Sequence, residues 1–174
     1  MWKVEDGAIV GQCKKGDGIF GLLFSDGEFD DFTLRMEVEI DAGNSGVYFR
    51  AREGGWAGAG GLQVELWPPA WLGALHWNDT VSSDSPRWVQ QNPPDPMQHY
   101  WRQSEWNNLE LTAQGAKIDV TINGVTTARW DGVLGDSTGR FALQVAGLEQ
   151  TEVRFRRITV ERLPPKPTAT SGEQ

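Results

Sequence analysis

Apolar and polar residues alternate with period two along most of this chain. In Thr33-Leu34-Arg35-Met36-Glu37-Val38-Glu39-Ile40 the apolar side chains fall on every even number, as a strand with one buried face requires. The same alternation puts Leu109, Leu111 and Ala113 on one face, then Ile118, Val120 and Ile122, and later Phe141, Leu143 and Val145. A last strand is expected over 152–160, before Pro164-Pro165. Gln114-Gly115-Ala116 and Asn123-Gly124 punctuate these runs, and Asn-Gly supplies the positive φ angles of a tight hairpin turn. Two consecutive hairpins follow from that spacing. Nowhere do apolar residues recur at i, i+3, i+4 and i+7 for more than a turn or two, so the pattern predicts an all-β fold. Short strands joined by Gly, Asn and Asp turns suit two antiparallel sheets, a sandwich or jelly roll, better than a small barrel.

The predicted domain covers residues 1–163, and 164–174 reads as a tail or linker, rich in Pro, Thr and Ser and too poor in apolar residues to fold. One stretch breaks the rhythm. From about 77 to 106 the chain carries Pro86, Pro93, Pro94 and Pro96 together with Trp88, Tyr100 and Trp101. It is expected to be a long aromatic loop, and loops of that length in compact domains are commonly functional.

Composition narrows the function. A formal charge of −8 argues against a surface that tracks nucleic-acid phosphates or binds anionic membranes. No window resembles a membrane span, and Met1-Trp2-Lys3-Val4-Glu5 lacks the layout of a secretory signal. The chain as given is expected to be soluble, secreted or periplasmic if a leader has been trimmed and cytoplasmic otherwise. The single cysteine, Cys13 in a loop-like stretch, excludes an intrachain disulfide and cannot by itself build a thiolate metal site. Nine tryptophans in 174 residues are the unusual feature, and imply a large shared core or a platform for something flat.

Candidate chemistry lies out of phase with the core. With Val47, Phe49 and Ala51 inward, Tyr48, Arg50 and Arg52 share the other face; with Leu62, Val64 and Leu66 inward, so do Gln63, Glu65 and Trp67. Gln144 sits likewise between Leu143 and Val145. A face combining Arg, Glu, Gln, Tyr and Trp suits a polyhydroxylated ligand. Plainer readings stand beside this one: an exposed Arg50–Glu65 ion pair, solvated glutamines, Trp67, Trp71 and Trp77 closing the rim of the core, and His76 as an ordinary rim residue. Trp2, Trp106 and Trp130 read as scaffold. Two histidines without zinc spacing make no metal case.

Several phrases in order carry a family resemblance: Trp2-x-Val4-Glu5-Asp6-Gly7, Phe29-Asp30-Asp31-Phe32-Thr33-Leu34, Asn44-Ser45-Gly46-Val47-Tyr48-Phe49-Arg50, Gly61-Leu62-Gln63-Val64-Glu65, Glu105-Trp106-Asn107 and Gly139-Arg140-Phe141-Ala142-Leu143-Gln144. Over roughly residues 2–163 they resemble the 3-keto-disaccharide hydrolase domain family. That resemblance implies a concanavalin A-like jelly roll, similar to laminarinase-type glucanases, and action on sugars oxidised at C3. It also implies a functional link to an oxidoreductase that makes the ketone. The chain departs from the family pattern in that the usual first strand before Trp2 is missing or cut off, in placing Gln63 before Glu65, and in lacking the histidine expected soon after Gln144.

A retaining glycosidase needs two carboxylates about 5 Å apart, and Glu65 has no acidic neighbour at 63 or 67. A C3 ketone offers another route, because it acidifies the C2 hydrogen and lets the C1 substituent leave by elimination, with water adding back if the net reaction is hydrolysis. On this scheme the expected catalytic residues are Glu65 as base, Arg50 as enolate stabiliser and His76 as acid. Tyr48, Gln63, Gln144, Trp67, Trp71 and Trp77 would bind substrate, and a divalent metal is the alternative to Arg50. The competing class is a non-catalytic carbohydrate-binding module of a larger protein.

Overall fold

The structure is a computed structural model that describes residues 1–16, 20–54, 58–68, 71–78, 87–90, 99–147 and 150–165. Trp56, Pro86, Pro93, Pro94, Pro96 and most of the expected tail, 166–174, lie outside the described residues. Thirteen strands and no helix make up the described chain: β1 (Trp2–Glu5), β2 (Ala8–Cys13), β3 (Phe20–Phe29), β4 (Phe32–Ala42), β5 (Ser45–Glu53), β6 (Ala59–Leu66), β7 (Leu75–Asn78), β8 (Arg87–Gln90), β9 (Asn107–Gln114), β10 (Lys117–Ile122), β11 (Val125–Asp131), β12 (Gly139–Ala146) and β13 (Thr151–Arg162). They form two antiparallel sheets, one in the order β1-β2-β13-β4-β9-β10-β11 and the other in the order β3-β12-β5-β6-β7-β8. This is the expected jelly-roll sandwich. None of the described residues forms a helix long and apolar enough to cross a membrane.

The alternation read from the sequence is the alternation that packs. Phe32, Leu34, Met36, Val38 and Ile40 from β4 and Leu109, Leu111 and Ala113 from β9 meet Val47, Phe49, Leu62, Val64, Leu66 and Leu75 of the facing sheet in one core. Both hairpins around β10 form as predicted, with Asn123 at φ 49° and Gly124 at φ 81°. Asp6 and Gly7 make a similar turn, at φ 51° and 75°. It joins β1 to β2, a hairpin that the alternation does not mark. Cys13 is not in a loop: it ends β2 buried, its thiol donating to the Ala146 carbonyl at 3.0 Å.

The expected long loop at 77–106 also differs. Its first part carries two strands that widen the six-stranded sheet, β7 pairing with β6 and β8 with β7. Four-residue strands offer too short an alternation to be read from sequence.

One irregularity positions the site. Between Phe49 and Arg52 the pairing of β5 with β6 slips, and Arg50 takes φ 48°. A bulge of this kind leaves one residue unpaired and re-aims its side chain. Upstream of it Tyr48 keeps its register, opposite Gln63 on one side and Ala142 on the other.

Candidate functional site

The face of the six-stranded sheet that points away from the sandwich core carries a compact polar cluster. Residues paired across the strands bring it together: Gln144 opposite Gly46, Tyr48 opposite Gln63, and Gln63 opposite His76, which is paired in turn with Trp88. Gly46 stands between Gln144 and Glu65. A Cβ at Gly46 would overlap the side chain of Gln63, so glycine here lets Gln63 cross β5 to reach Gln144.

The resulting hydrogen bonds form one network. Gln63 Nε2 donates to Gln144 Oε1 at 3.0 Å, and Asn78 Nδ2 donates to Gln63 Oε1 at 3.2 Å and to the Tyr48 hydroxyl at 3.1 Å. Gln144 Nε2 completes it, donating to the same hydroxyl at 3.4 Å. Tyr48, Gln63, Gln144 and Asn78 are all buried. The Tyr48 ring is gripped by Ala51, Ala59 and Ala142, with Leu22 and Phe24 packed beside them. Four polar groups buried and bonded to one another are held rigidly, because breaking any link leaves a desolvated partner unpaired.

Beside this network stands Glu65, 6% exposed, its Oε1 accepting from Asn44 Nδ2 at 3.0 Å. Burial raises its pKa from 4.5 to about 7, against the opposing pull of the Asn44 bond and the Leu66 backbone. Desolvation disfavours the charged form, and no cation among the described residues pairs with it to compensate. The outcome is a carboxyl that exchanges its proton near neutrality. The Tyr48 phenol moves further above its usual range, first through burial and then through the negative charge of Glu65. His76 moves the other way: burial lowers its pKa to about 4. Its ring stacks on Trp88 at 4.6 Å, and Trp88 stacks on Trp71 at 4.6 Å. Its Nδ1 is buried without a hydrogen-bond partner among the described residues.

The structure thus gathers Tyr48, Gln63, Glu65, His76 and Gln144, with Trp71 at the edge, and separates the others. Arg50 is not with them. The bulge turns its guanidinium to two turns, the β3–β4 link between the sheets and the β9–β10 hairpin, where Nε donates to the Asp30 carbonyl, Nη1 to the Gly115 carbonyl and Nη2 to Asp31 Oδ1. With the ion pair to Asp31 part-buried and every nitrogen committed to the loops, Arg50 ties the two sheets together and makes no ion pair with Glu65. Trp77 is also displaced, since it pairs with Leu62, on the phase opposite to His76, and packs against the core. Trp67 lies one residue past β6 and is 37% exposed. Trp101 and Trp130 pack on the core; Trp2 lies 6.4 Å from Phe155, and the Arg156 guanidinium covers Trp106 at 3.8 Å. His76 reaches the site as a neutral imidazole at neutral pH, so it does not hold the extra proton of an imidazolium acid there.

Sequence reasoning missed Asn44, Gly46, Asn78 and Trp88. Asn78 shares the phase of His76 on β7 and is readable once that strand is known, and Asn44 and Gly46 flank Ser45 in the phrase that opens β5. Trp88 stands out in the sequence only as part of the aromatic loop. No group of three or more His, Cys, Asp or Glu converges among the described residues. Among the described residues the face offers one carboxylate and one imidazole, short of the three protein ligands of a catalytic zinc site.

A profile of the 3-keto-alpha-glucoside-1,2-lyase-like domain matches residues 1–161. The chain belongs to this family. No curated protein matches it. Among solved structures, carbohydrate binding module CBM66 from Bacillus subtilis is 15% identical, with 92% of this chain and 91% of that one covered at a TM-score of 0.67. Two proteins described as "putative glycosyl hydrolase" from Parabacteroides distasonis are similar as well. One is 18% identical, with 94% and 84% covered at a TM-score of 0.66, and the other 17% identical, with 94% and 90% covered at 0.63. These likenesses show the jelly-roll fold. Family membership ties the domain to carbohydrate chemistry, and the polar cluster on the six-stranded sheet is where the 3-keto-glucoside-lyase-like domain concentrates its buried acid, amides and stacked indoles.

Proposed function

We propose that this domain cleaves 3-keto-glycosides by removing the C2 proton and eliminating the C1 substituent, with Glu65 as the base. The observation that carries this reading is the environment of Glu65. It is a buried carboxyl with a pKa of about 7, paired to no cation among the described residues, beside an amide–phenol network suited to sugar hydroxyls and an imidazole–indole stack suited to a pyranose face. A general base is most effective when its pKa lies near the working pH. Family membership supports the substrate class.

In the proposed reaction the C2–H bond breaks and its proton passes to the Glu65 carboxylate, while the electron pair moves into the C2–C3 bond and the C3 carbonyl becomes an enolate. The enolate then collapses: the carbonyl re-forms, a C1=C2 double bond forms, and the C1–O bond breaks with its electrons leaving on the aglycone oxygen. That oxygen takes the proton held by Glu65. Water added across C1=C2 afterwards would make the net reaction a hydrolysis. Trp71 and Trp88, rather than Trp77, supply the stacking surface.

The test is incubation with a 4-nitrophenyl 3-keto-glucoside, following nitrophenol release, beside the unoxidised glucoside. Release from the 3-keto substrate alone, slowed by deuterium at C2, is the expected result. Release from both glucosides at similar rates, or from neither, refutes the reading. Tight binding of the unoxidised sugar without turnover would make the domain a carbohydrate-binding module instead.

A further inference from the structure

The hydrogen bonds around Tyr48 have a direction. Its hydroxyl accepts from Asn78 Nδ2 at 3.1 Å and from Gln144 Nε2 at 3.4 Å. A phenol oxygen has one proton to give and accepts at its lone pairs. With amide donors on both sides, the O–H proton is left to point elsewhere, and it has no acceptor among the described residues. The amides cannot readily be turned over one at a time. Asn78 Nδ2 also serves Gln63 Oε1, and Gln63 Nε2 serves Gln144 Oε1, so the four groups form a ring of fixed polarity. An unmatched donor in a buried polar network is costly, and such groups are retained where a ligand supplies the missing partner.

From this polarity we infer that the Tyr48 O–H is the donor to the C3 oxygen of the substrate, and that Asn78 and Gln144 are positioning residues that aim it. The inference rests on the reading of the site as one for 3-keto-glycosides, and it replaces Arg50, which the bulge removes from the face. Proton abstraction at C2 puts negative charge on the C3 oxygen. A preorganised donor in a water-poor site then binds the enolate more strongly than the ketone, and so speeds the step. Tyr48 gives a hydrogen bond and keeps its proton, since burial and the nearby Glu65 both oppose a tyrosinate. Its place suits an enolate donor, one strand and two register positions from Glu65 and so on the same face, since Glu65 stands opposite Gly46 while Tyr48 stands opposite Gln63.

The experiment has three arms, all on the full chain, the first two with the nitrophenyl 3-keto-glucoside. Wild-type turnover comes first; without it the substrate reading fails and this inference falls with it. Given turnover, Tyr48→Phe should lower kcat by about 10²–10³, as removal of an oxyanion donor does elsewhere, with little change in KM. A rise in KM with kcat preserved would show that Tyr48 only holds a hydroxyl, and would overturn the inference. Asn78→Asp replaces a donor by an acceptor that captures the Tyr48 proton, and should match Tyr48→Phe in kcat, with the double variant no worse than either single one. Losses that multiply in the double variant count against the inference, because independent structural damage multiplies.

The third arm needs neither variant to fold. The chain has two tyrosines, and Tyr100 donates to the Leu72 carbonyl away from this network. In Tyr100→Phe, a 13C label at tyrosine Cζ therefore reports Tyr48 alone. Its resonance should move on adding 3-keto-glucose and stay in place on adding glucose. An equal response to both sugars, or to neither, overturns the inference even where the wild-type domain is active.

Discussion

Replacing Glu65 by glutamine should stabilise the protein while abolishing its activity, and the stabilisation should depend on pH in a way that identifies its cause. Glutamine keeps an oxygen for the Asn44 Nδ2 bond and removes the charge that burial penalises. The carboxyl titrates near 4.5 in an unfolded chain and at about 7 in the folded one, a difference corresponding to roughly 3 kcal/mol. The sign follows from which state holds the proton. Below about pH 4.5 the carboxyl is protonated in both states and costs nothing. Between 4.5 and 7 the unfolded chain releases its proton and the folded one keeps it, so wild-type stability falls steadily. Above 7 the full cost is present. For a domain of this size, about 3 kcal/mol corresponds to a rise in Tm of roughly 6–12 °C. Calorimetry of wild type and Glu65→Gln at pH 4 and pH 8 tests this. Equal Tm values at pH 4 and a more stable variant at pH 8 are expected, together with loss of turnover at both. A variant less stable than wild type at pH 8, or a gain of the same size at both pH values, would show that burial of the charge is not what sets the Glu65 pKa. Wild-type kcat/KM should rise through a single ionisation near pH 7, because the base acts in its ionised form.

Three further outcomes follow from the geometry. Arg50→Met removes the cation from the part-buried Asp31 carboxylate, which keeps the Gly115 N–H, and leaves the Asp30 and Gly115 carbonyls without their guanidinium donor; it should cost about 1–3 kcal/mol in denaturant unfolding with kcat unchanged at temperatures where the variant is folded. Gly46→Ala drives a methyl into Gln63; it should cost about 1–3 kcal/mol and lower turnover at least tenfold by breaking the Gln63–Gln144 bond, which Gln63→Ala should reproduce in activity. Trp88→Ala uncovers His76 and should raise its pKa from about 4 toward the ordinary histidine value, a shift that NMR titration can follow because the chain has two histidines. An unchanged His76 titration would show that something other than Trp88 excludes water from the ring.

The sequence by itself determined the fold and part of the polar cluster. Period-two alternation is a local property, and in strands such as Phe32–Ala42 and Asn107–Gln114 it stated which face was buried. It also stated that Tyr48, Gln63, Glu65 and Gln144 were out of phase with the core, and cross-strand pairing assembled them. Tertiary structure decided the rest. The slip at Phe49–Arg52 turns Arg50 from the candidate site to the turns at Asp30–Asp31 and Gly115, and no count of alternating residues registers a one-residue bulge. The short strand Leu75–Asn78 puts His76 and Asn78 on one face and Trp77 on the other, a division that four residues are too few to announce. The pKa values of Glu65 and His76, and the direction of the bonds converging on Tyr48, depend on what surrounds each group in space. The chain order lists these residues, but only the pairing of five strands decides which of them is desolvated, which is matched, and which is left with a proton to give.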